Sequence, residues 1–409
     1  MHPTHHCCNT PNCTAGAGAA CRPTGQRAGA WQVALATRLV ALVTPLVALA
    51  TALAATLAGA QPAAVQINSA SNAGSSTPAA GASQVAEARL RIVGSLAGLN
   101  PYTKHEAPFW TITLPALTAN RVQAEIVPYD RAGIRGQDML RLIKLGVVPF
   151  GTVPLSLSAT DDVLIGAPDL AGLNPDLAAL RRTAAAFRPV LAQHLRQQHG
   201  AELLMVYPYP AQVLFCKTAF SVLADLAGRR VRVSSATQAD LVDALGGLPV
   251  YTGFADLLPQ MRAGALDCAI TGTMSGYTVG LAGATSHLHS LAISWGVQLF
   301  AANSTAWTAL SPALRQLLQA RLPLLEQALW AEADRETGDG IACSSGAKAC
   351  AGGPRGAMQV VQPGPADQQR LRSLVASTVL PRWLARCGPG CAQVWNTTLA
   401  PVVGIQATP

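Results

Sequence analysis

The sequence predicts an α/β protein of two lobes, each a mainly parallel sheet flanked by helices, with hinge strands and one long helix behind both. Three observations predict it. Short apolar strand-like runs alternate with amphipathic helical runs from residue 89 to residue 207. The same rhythm restarts at Val231. Finally, Ser311-Pro312 opens an unusually long helical pattern: serine caps, and proline suits a first turn whose N–H needs no partner.

In chain order, Leu90 to Val93 reads as a strand ending at Gly94, Pro108 to Leu117 as a helix, and Ala124 to Val127 as a second strand. Gly136 to Leu145 is helical with Gly146 as its left-handed stop, and Val147 to Gly151 reads as a buried strand. A long amphipathic helix over 177–199 ends at Gly200, and Leu203 to Tyr207 is a strand. In the second half, Val231 to Val233 is a strand, and Ser234 or Ser235 caps a helix through Leu245. Val250-Tyr251 is a strand, Phe254 to Ala263 a helix, and Leu266 to Ile270 a strand. Leu291 to Phe300 reads as one strand crossing back. Along the final long helix, Leu314, Leu317, Leu318, Leu325, Leu329 and Trp330 form the apolar stripe, with a kink expected at Pro323. In open α/β sheets ligands sit at the carboxyl ends of the strands, so two facing lobes define a cleft.

The chain has 409 residues, 50% hydrophobic and 12% charged, a composition that excludes a disordered polymer. The formal charge is +8, but no basic run interleaves with aromatics, so nucleic acid is not an expected partner. Residues 33–60 hold the one long apolar run, and Ala58-Gly59-Ala60 fits the small-x-small cleavage pattern. We therefore expect a signal peptide with a long leader over 1–60, cut near Ala60, and export to the periplasm. A Ser/Ala/Gly-rich tether, 61–86, is expected to be disordered. The first lobe is assigned to 87–209 and 297–337, the second to 210–296 and 338–400. His2, His5, His6, Cys7, Cys8 and Cys13 cluster in the leader, where a metal-site reading yields to an over-long translated leader.

Of 10 cysteines, six lie beyond the leader. Cys343 and Cys350 bracket a Gly/Ser/Ala loop and Cys387 to Cys391 a tight turn, which predicts two local disulfides in an oxidising compartment. Cys216 and Cys268 sit in apolar runs and read as buried free thiols. His287 and His289 would share a face of a strand as metal ligands, but nothing acidic stands beside them in sequence, so a packed turn is expected. Gly-x-Ser-x-Gly, His-Glu-x-x-His and Walker sequences are all absent, so no enzyme constellation is indicated. No cofactor and no metal are expected.

The run Asp225-Leu226-Ala227-Gly228-Arg229-Arg230-Val231-Arg232-Val233 resembles a segment of the extracytoplasmic solute-binding proteins of TRAP transporters, the dicarboxylate-binding type. Ala244-Leu245-Gly246-Gly247 with Pro249, and Phe254, Leu257, Met261-Arg262, Gly264 and Asp267, follow in the family's order and spacing. The resemblance covers roughly 89–335 and implies a bilobal type II periplasmic-binding fold closing on a small organic acid, a C4-dicarboxylate or similar, for delivery to membrane permease subunits. A monomer is expected. A sensory receptor on the same fold, without a transport role, is the alternative.

The resemblance implies that Arg232 forms a two-pronged salt bridge to the ligand carboxylate, and a planar guanidinium suits that geometry as lysine does not. Many members carry a polar amide where this chain has Ile270-Thr271, so Thr271, Thr273 and Ser275 are the candidate hydroxyl donors. Gln212 falls near a family arginine, and Arg135 is the candidate second charge. Tyr102, His105 and Glu106, after the first strand, should face the cleft, and Trp295 is a candidate pocket wall.

Overall fold

The computed structural model describes residues 88–350 and 352–408. The expected leader, cleavage site and tether lie outside the described residues. Among those described, no helix is long and apolar enough to cross a membrane.

Eleven strands form two sheets. The first contains β1 (Ala88–Gly94), β2 (Val122–Pro128), β3 (Phe150–Pro154), β4 (Ala201–Tyr207) and β10 (Gln298–Asn303) in the order β2-β1-β3-β10-β4. β1 runs parallel to β2 and β3, whereas β10 is antiparallel to both β3 and β4. The second contains β5 (Gln212–Cys216), β6 (Arg230–Val233), β7 (Leu248–Tyr251), β8 (Cys268–Gly272), β9 (His287–Ser294) and β11 (Gln359–Val361) in the order β11-β9-β5-β8-β6-β7. The fold is the bilobal type II α/β arrangement, and one buried apolar cluster runs through both sheets and their helices.

Local chemistry explains the main elements. The helix Leu177–His199 begins where the Asp176 carboxylate accepts from the Ala179 N–H at 2.7 Å, and Gly200 ends it at φ 53°. Leu180, Ala184, Phe187, Leu191 and Leu195 recur at helical spacing and are buried against the first sheet. The long helix is Pro312–Ser345. Ser311 accepts from the Leu314 N–H at 3.3 Å, and Gly346 closes it at φ 77°. Its middle binds the first sheet, with the Trp330 indole donating to the Val206 carbonyl at 2.8 Å. Its end reaches the second lobe: a Cβ on Gly340 would lie 2.3 Å from the Met274 amide nitrogen, so only glycine permits this approach.

The chain crosses between sheets at Pro208–Ala211 and at Trp295–Val297, and the Tyr209 N–H donates to the Trp295 carbonyl at 3.0 Å. The apolar run 291–300 is therefore two strands rather than one, interrupted at Gly296, whose φ is 57°. β3 starts at Phe150, later than the apolar run suggests, and the Thr-Gly-Thr-Met-Ser-Gly stretch ends β8 and opens a short helix, Thr273–Thr278. His287 and His289 lie on β9, not in a turn. His289 is fully buried against Phe220 and 3.4 Å from Asp367, an acid brought in from the C-terminal segment.

Cys343–Cys350 and Cys387–Cys391 are disulfides, as expected. Cys216 and Cys268 are not free thiols. They face each other across β5 and β8 and form a third disulfide that joins positions 52 residues apart. Closing so long a loop removes chain entropy worth on the order of 4 kcal/mol in the chain-entropy account. Alkylation of unreduced, denatured protein should leave Cys216 and Cys268 unmodified, and Cys216→Ala with Cys268→Ala should lower stability on that scale. Alkylation of both without reduction would contradict the assignment.

Candidate ligand-binding cleft

The carboxyl ends of β6, β7 and β8 meet at one guanidinium. Arg232 pairs in register with Val250 and Ala269. Its Nε donates to the Thr252 carbonyl at 3.0 Å and its Nη1 to the Ile270 carbonyl at 2.8 Å. At 5% exposure it is the only buried lysine or arginine among the described residues, and it has no carboxylate partner there. Burial pushes its pKa down to about 10, which leaves it a cation at neutral pH. Arg230, two residues earlier, is instead half exposed and bound through Nε and Nη2 to Asp267.

Beside β8, Gln212 opens β5, in register with Gly272 and Ser294. Its Oε1 accepts from Gln238 Nε2 at 2.7 Å and from Ser294 Oγ at 3.2 Å. Gln238 lies in the helix Ala236–Ala244, which the Ser235 hydroxyl caps by accepting from the Gln238 N–H at 3.1 Å. Gln238 thus orients Gln212, a role no sequence motif announced. Thr271 is buried near the end of β8, and its hydroxyl has no partner among the described residues. The Thr273 hydroxyl is committed to the Glu336 carbonyl of the long helix at 2.9 Å, and Ser275 is buried two residues on.

The other candidates are placed elsewhere. Arg135 has a side chain 71% exposed and pairs with Asp138 at 2.7 Å. Tyr102 donates to the Ile126 carbonyl of β2 at 3.2 Å, and His105 binds Glu332 of the long helix at 2.9 Å. Glu106 is buried at the carboxyl end of the first sheet. Its carboxylate accepts from the Ser95 N–H at 2.8 Å, from Thr152 Oγ1 at 3.4 Å and from the Tyr207 hydroxyl. Burial pushes the Glu106 carboxyl up, against those bonds. Trp295 is a core residue, its indole donating to the Asn174 carbonyl at 3.0 Å.

Sequence reading missed Asp169. Its Oδ1 accepts from the Trp295 N–H at 2.9 Å and its Oδ2 from the Val297 N–H at 3.2 Å, so one half-buried aspartate holds both sides of the Gly296 reversal. The available signal was a lone acid within the apolar run Ile165 to Ala171. Beside it, a cavity of about 30 Å³ lies between Leu155, Ser156 and Val163 of the first lobe and Ser235 and Thr237 of the second, closed by Trp383 and Arg386.

Two mixed α/β sheets joined by two crossovers and backed by one long helix define the class of two-lobed α/β proteins. Residues 106–378 match the model of the bacterial extracellular solute-binding protein family 7, DctP, and the chain belongs to that family, the solute-binding proteins of TRAP transporters. This is a family of solute receptors rather than an enzyme class. Solved structures share the fold. A Bordetella pertussis extracytoplasmic solute receptor binding pyroglutamic acid aligns with TM-score 0.66 at 20% identity, covering 75% of this chain and 97% of that one. A TRAP periplasmic solute-binding protein of Desulfovibrio salexigens with bound orotic acid gives 0.67 at 16%, covering 77% and 99%. One from Sulfurospirillum deleyianum with bound succinate gives 0.64 at 16%, covering 75% and 97%. No match was found among curated protein sequences.

Burial pushes the Asp169 pKa up to about 7, against the pull of the two amides. An aspartate raised above its unfolded value of about 3.9 contributes stability below that value and loses it as pH rises through the folded one. Relative to Asp169→Asn, the wild type should therefore lose on the order of 2–3 kcal/mol between pH 5 and pH 8 in denaturant titrations. Parallel pH profiles for the two proteins would contradict this.

Proposed function

We propose that the protein is the exported solute-binding subunit of a TRAP-type transporter and that it captures a small organic acid on Arg232 for delivery to membrane permease subunits. The observation that carries this reading is the buried, uncompensated guanidinium. Desolvating a cation is costly unless a counter-charge arrives, and two carbonyl oxygens supply only part of that compensation. A ligand carboxylate completes it and forms charge-assisted bonds. The Thr271 hydroxyl, free of protein partners, and the amide nitrogen of Gln212, whose oxygen Gln238 and Ser294 already hold, are the polar groups assigned to the rest of the ligand. The second lobe thus supplies the charge, and closure of the first lobe over it excludes water. Solved relatives hold pyroglutamate, orotate and succinate, which share a carboxylate and little else.

Calorimetric titration with a panel of mono- and dicarboxylates, pyroglutamate and succinate included, tests the assignment. Arg232→Ala should weaken the best binder by about 30-fold to several-thousand-fold, the effect of leaving a desolvated charge unpaired, on the order of 2–5 kcal/mol. Arg232→Lys, which keeps the charge and loses the fork, should fall between. Because Arg232 is buried, not open to water, Arg232→Ala also strands the Thr252 and Ile270 carbonyls and should lower thermal stability. Unchanged affinity in Arg232→Ala would refute the site.

A further inference from the structure

Two histidines outside the cleft share one acid. His194 and His199 lie near the end of the helix Leu177–His199, and Asp162 precedes the short helix Val163–Asp169. Asp162 Oδ2 is 2.6 Å from His194 Nε2 and 2.6 Å from His199 Nε2. One ligand atom from each residue lies within 4.8 Å of the other two. The side chains are 13% exposed at Asp162, 21% at His194 and 15% at His199, so the cluster is shielded yet reachable from solvent. None of the three contacts Arg232.

We propose that Asp162, His194 and His199 bind a divalent transition-metal ion of the zinc class. Two imidazoles with one carboxylate suit zinc, nickel or copper, whereas calcium and magnesium require oxygen ligands. Three protein ligands leave a fourth position for water or an outside donor. The geometry needs only a small opening. Ligand atoms ~2.0–2.1 Å from a tetrahedral ion sit roughly 3.3 Å apart, against 2.6 Å for each Asp–His contact here, and side-chain rotation accommodates that change. The backbone is already fixed on both sides. The Asp162 N–H donates to the Ser158 carbonyl at 3.1 Å, and Gly200 closes the helix in the left-handed conformation. A cation at this spot also meets the negative end of a helix of 23 residues.

One feature limits the affinity. A metal at His199 Nε2 leaves the ring proton on Nδ1, and that atom is buried without a partner among the described residues. A missing outer-shell acceptor costs ~10–100-fold in metal affinity, so this site binds its ion more weakly than one whose ring N–H groups are both satisfied.

Zinc chloride titrated calorimetrically into the full chain tests the proposal, with Asp162→Asn, His194→Ala and His199→Ala alongside. The leader's histidines and cysteines are common to all four proteins, so the differences between them report this site alone. The wild type should bind one equivalent more than each variant, or bind that equivalent more than ~100-fold tighter, exceeding the loss of an outer-shell partner. Cobalt(II) should give a visible absorption band that is lost or shifted in the variants. Should a histidine variant fail to fold, Asp162→Asn decides, because it keeps the side-chain volume and a hydrogen-bond acceptor. Identical zinc stoichiometry and affinity, with unchanged cobalt spectra, would show that the cluster is an ion pair only and would overturn the assignment.

Discussion

A cation taken out of water without a counter-charge constrains everything around Arg232. The guanidinium cannot be deprotonated at neutral pH even with its pKa lowered to about 10, so its N–H groups must find oxygen. The Thr252 and Ile270 carbonyls that meet it come from the chain just after β7 and from within β8. Those oxygens point at Arg232 only if β6 lies between β7 and β8, which is the observed order. Sheet topology and the charge in the cleft are therefore one arrangement. Lysine would satisfy the charge but not the two diverging carbonyls, because only a planar fork reaches both.

The same logic governs the opposite sheet edge and the crossovers. Glu106 is buried and Asp169 half-buried, desolvation pushes both carboxyls toward neutrality, and both accept from backbone amides where strands end. Such groups hold irregular backbone in place where no ladder can. At Trp295–Val297 the chain leaves one sheet for the other, and two amides that neither strand can satisfy are taken by Asp169. The other crossover, Pro208–Ala211, is held differently: the Ala211 N–H donates to Thr337 of the long helix at 3.0 Å, and the Thr273 N–H donates to the Ala211 carbonyl at 3.0 Å. Two crossing segments and one helix thus share their hydrogen bonds.

How much of this was legible depended on whether the signal was local. The helix 177–199 was read to its last residue because Asp176 and Gly200 mark both ends chemically. Ser311 was read as a cap for the same reason, the cap of the other helix was narrowed to Ser234 or Ser235, of which the structure uses Ser235, and the short-spaced disulfides were read from their loops. Cys216 and Cys268 were misread because a bond across neighbouring strands leaves no trace in spacing when 52 residues separate the partners. The run 291–300 was misread because a crossover buried on all sides is as apolar as a buried strand, and Gly296 was its only mark. His289 was misread because its acid, Asp367, is 78 residues away in the sequence. In the cleft, Arg232 was named from a motif. Gln238 and Asp169 were not, because orienting another side chain or holding a backbone reversal needs no sequence signature.

The segment from Leu155 to Leu170 gathers several of these features into one strap. Its first residue donates a backbone N–H to the Val297 carbonyl at 3.0 Å, and its penultimate residue, Asp169, binds the same crossover from the other side. Midway, the Val163 carbonyl accepts from the Trp383 indole at 3.0 Å. Trp383 belongs to the helix Leu380–Cys387, whose Arg386 grips Asp240 of the second lobe through both terminal nitrogens. Immediately before Val163, Asp162 ties the strap to His194 and His199. A change of lobe angle therefore cannot bend the crossover alone. It must also carry the strap, the helix that bridges to Asp240, and the His–Asp cluster that anchors the strap's outer side. Attachment at three points along one short segment holds Leu155 and Ser156, where the strap leaves β3, in a fixed position beside the crossover rather than in a loose loop.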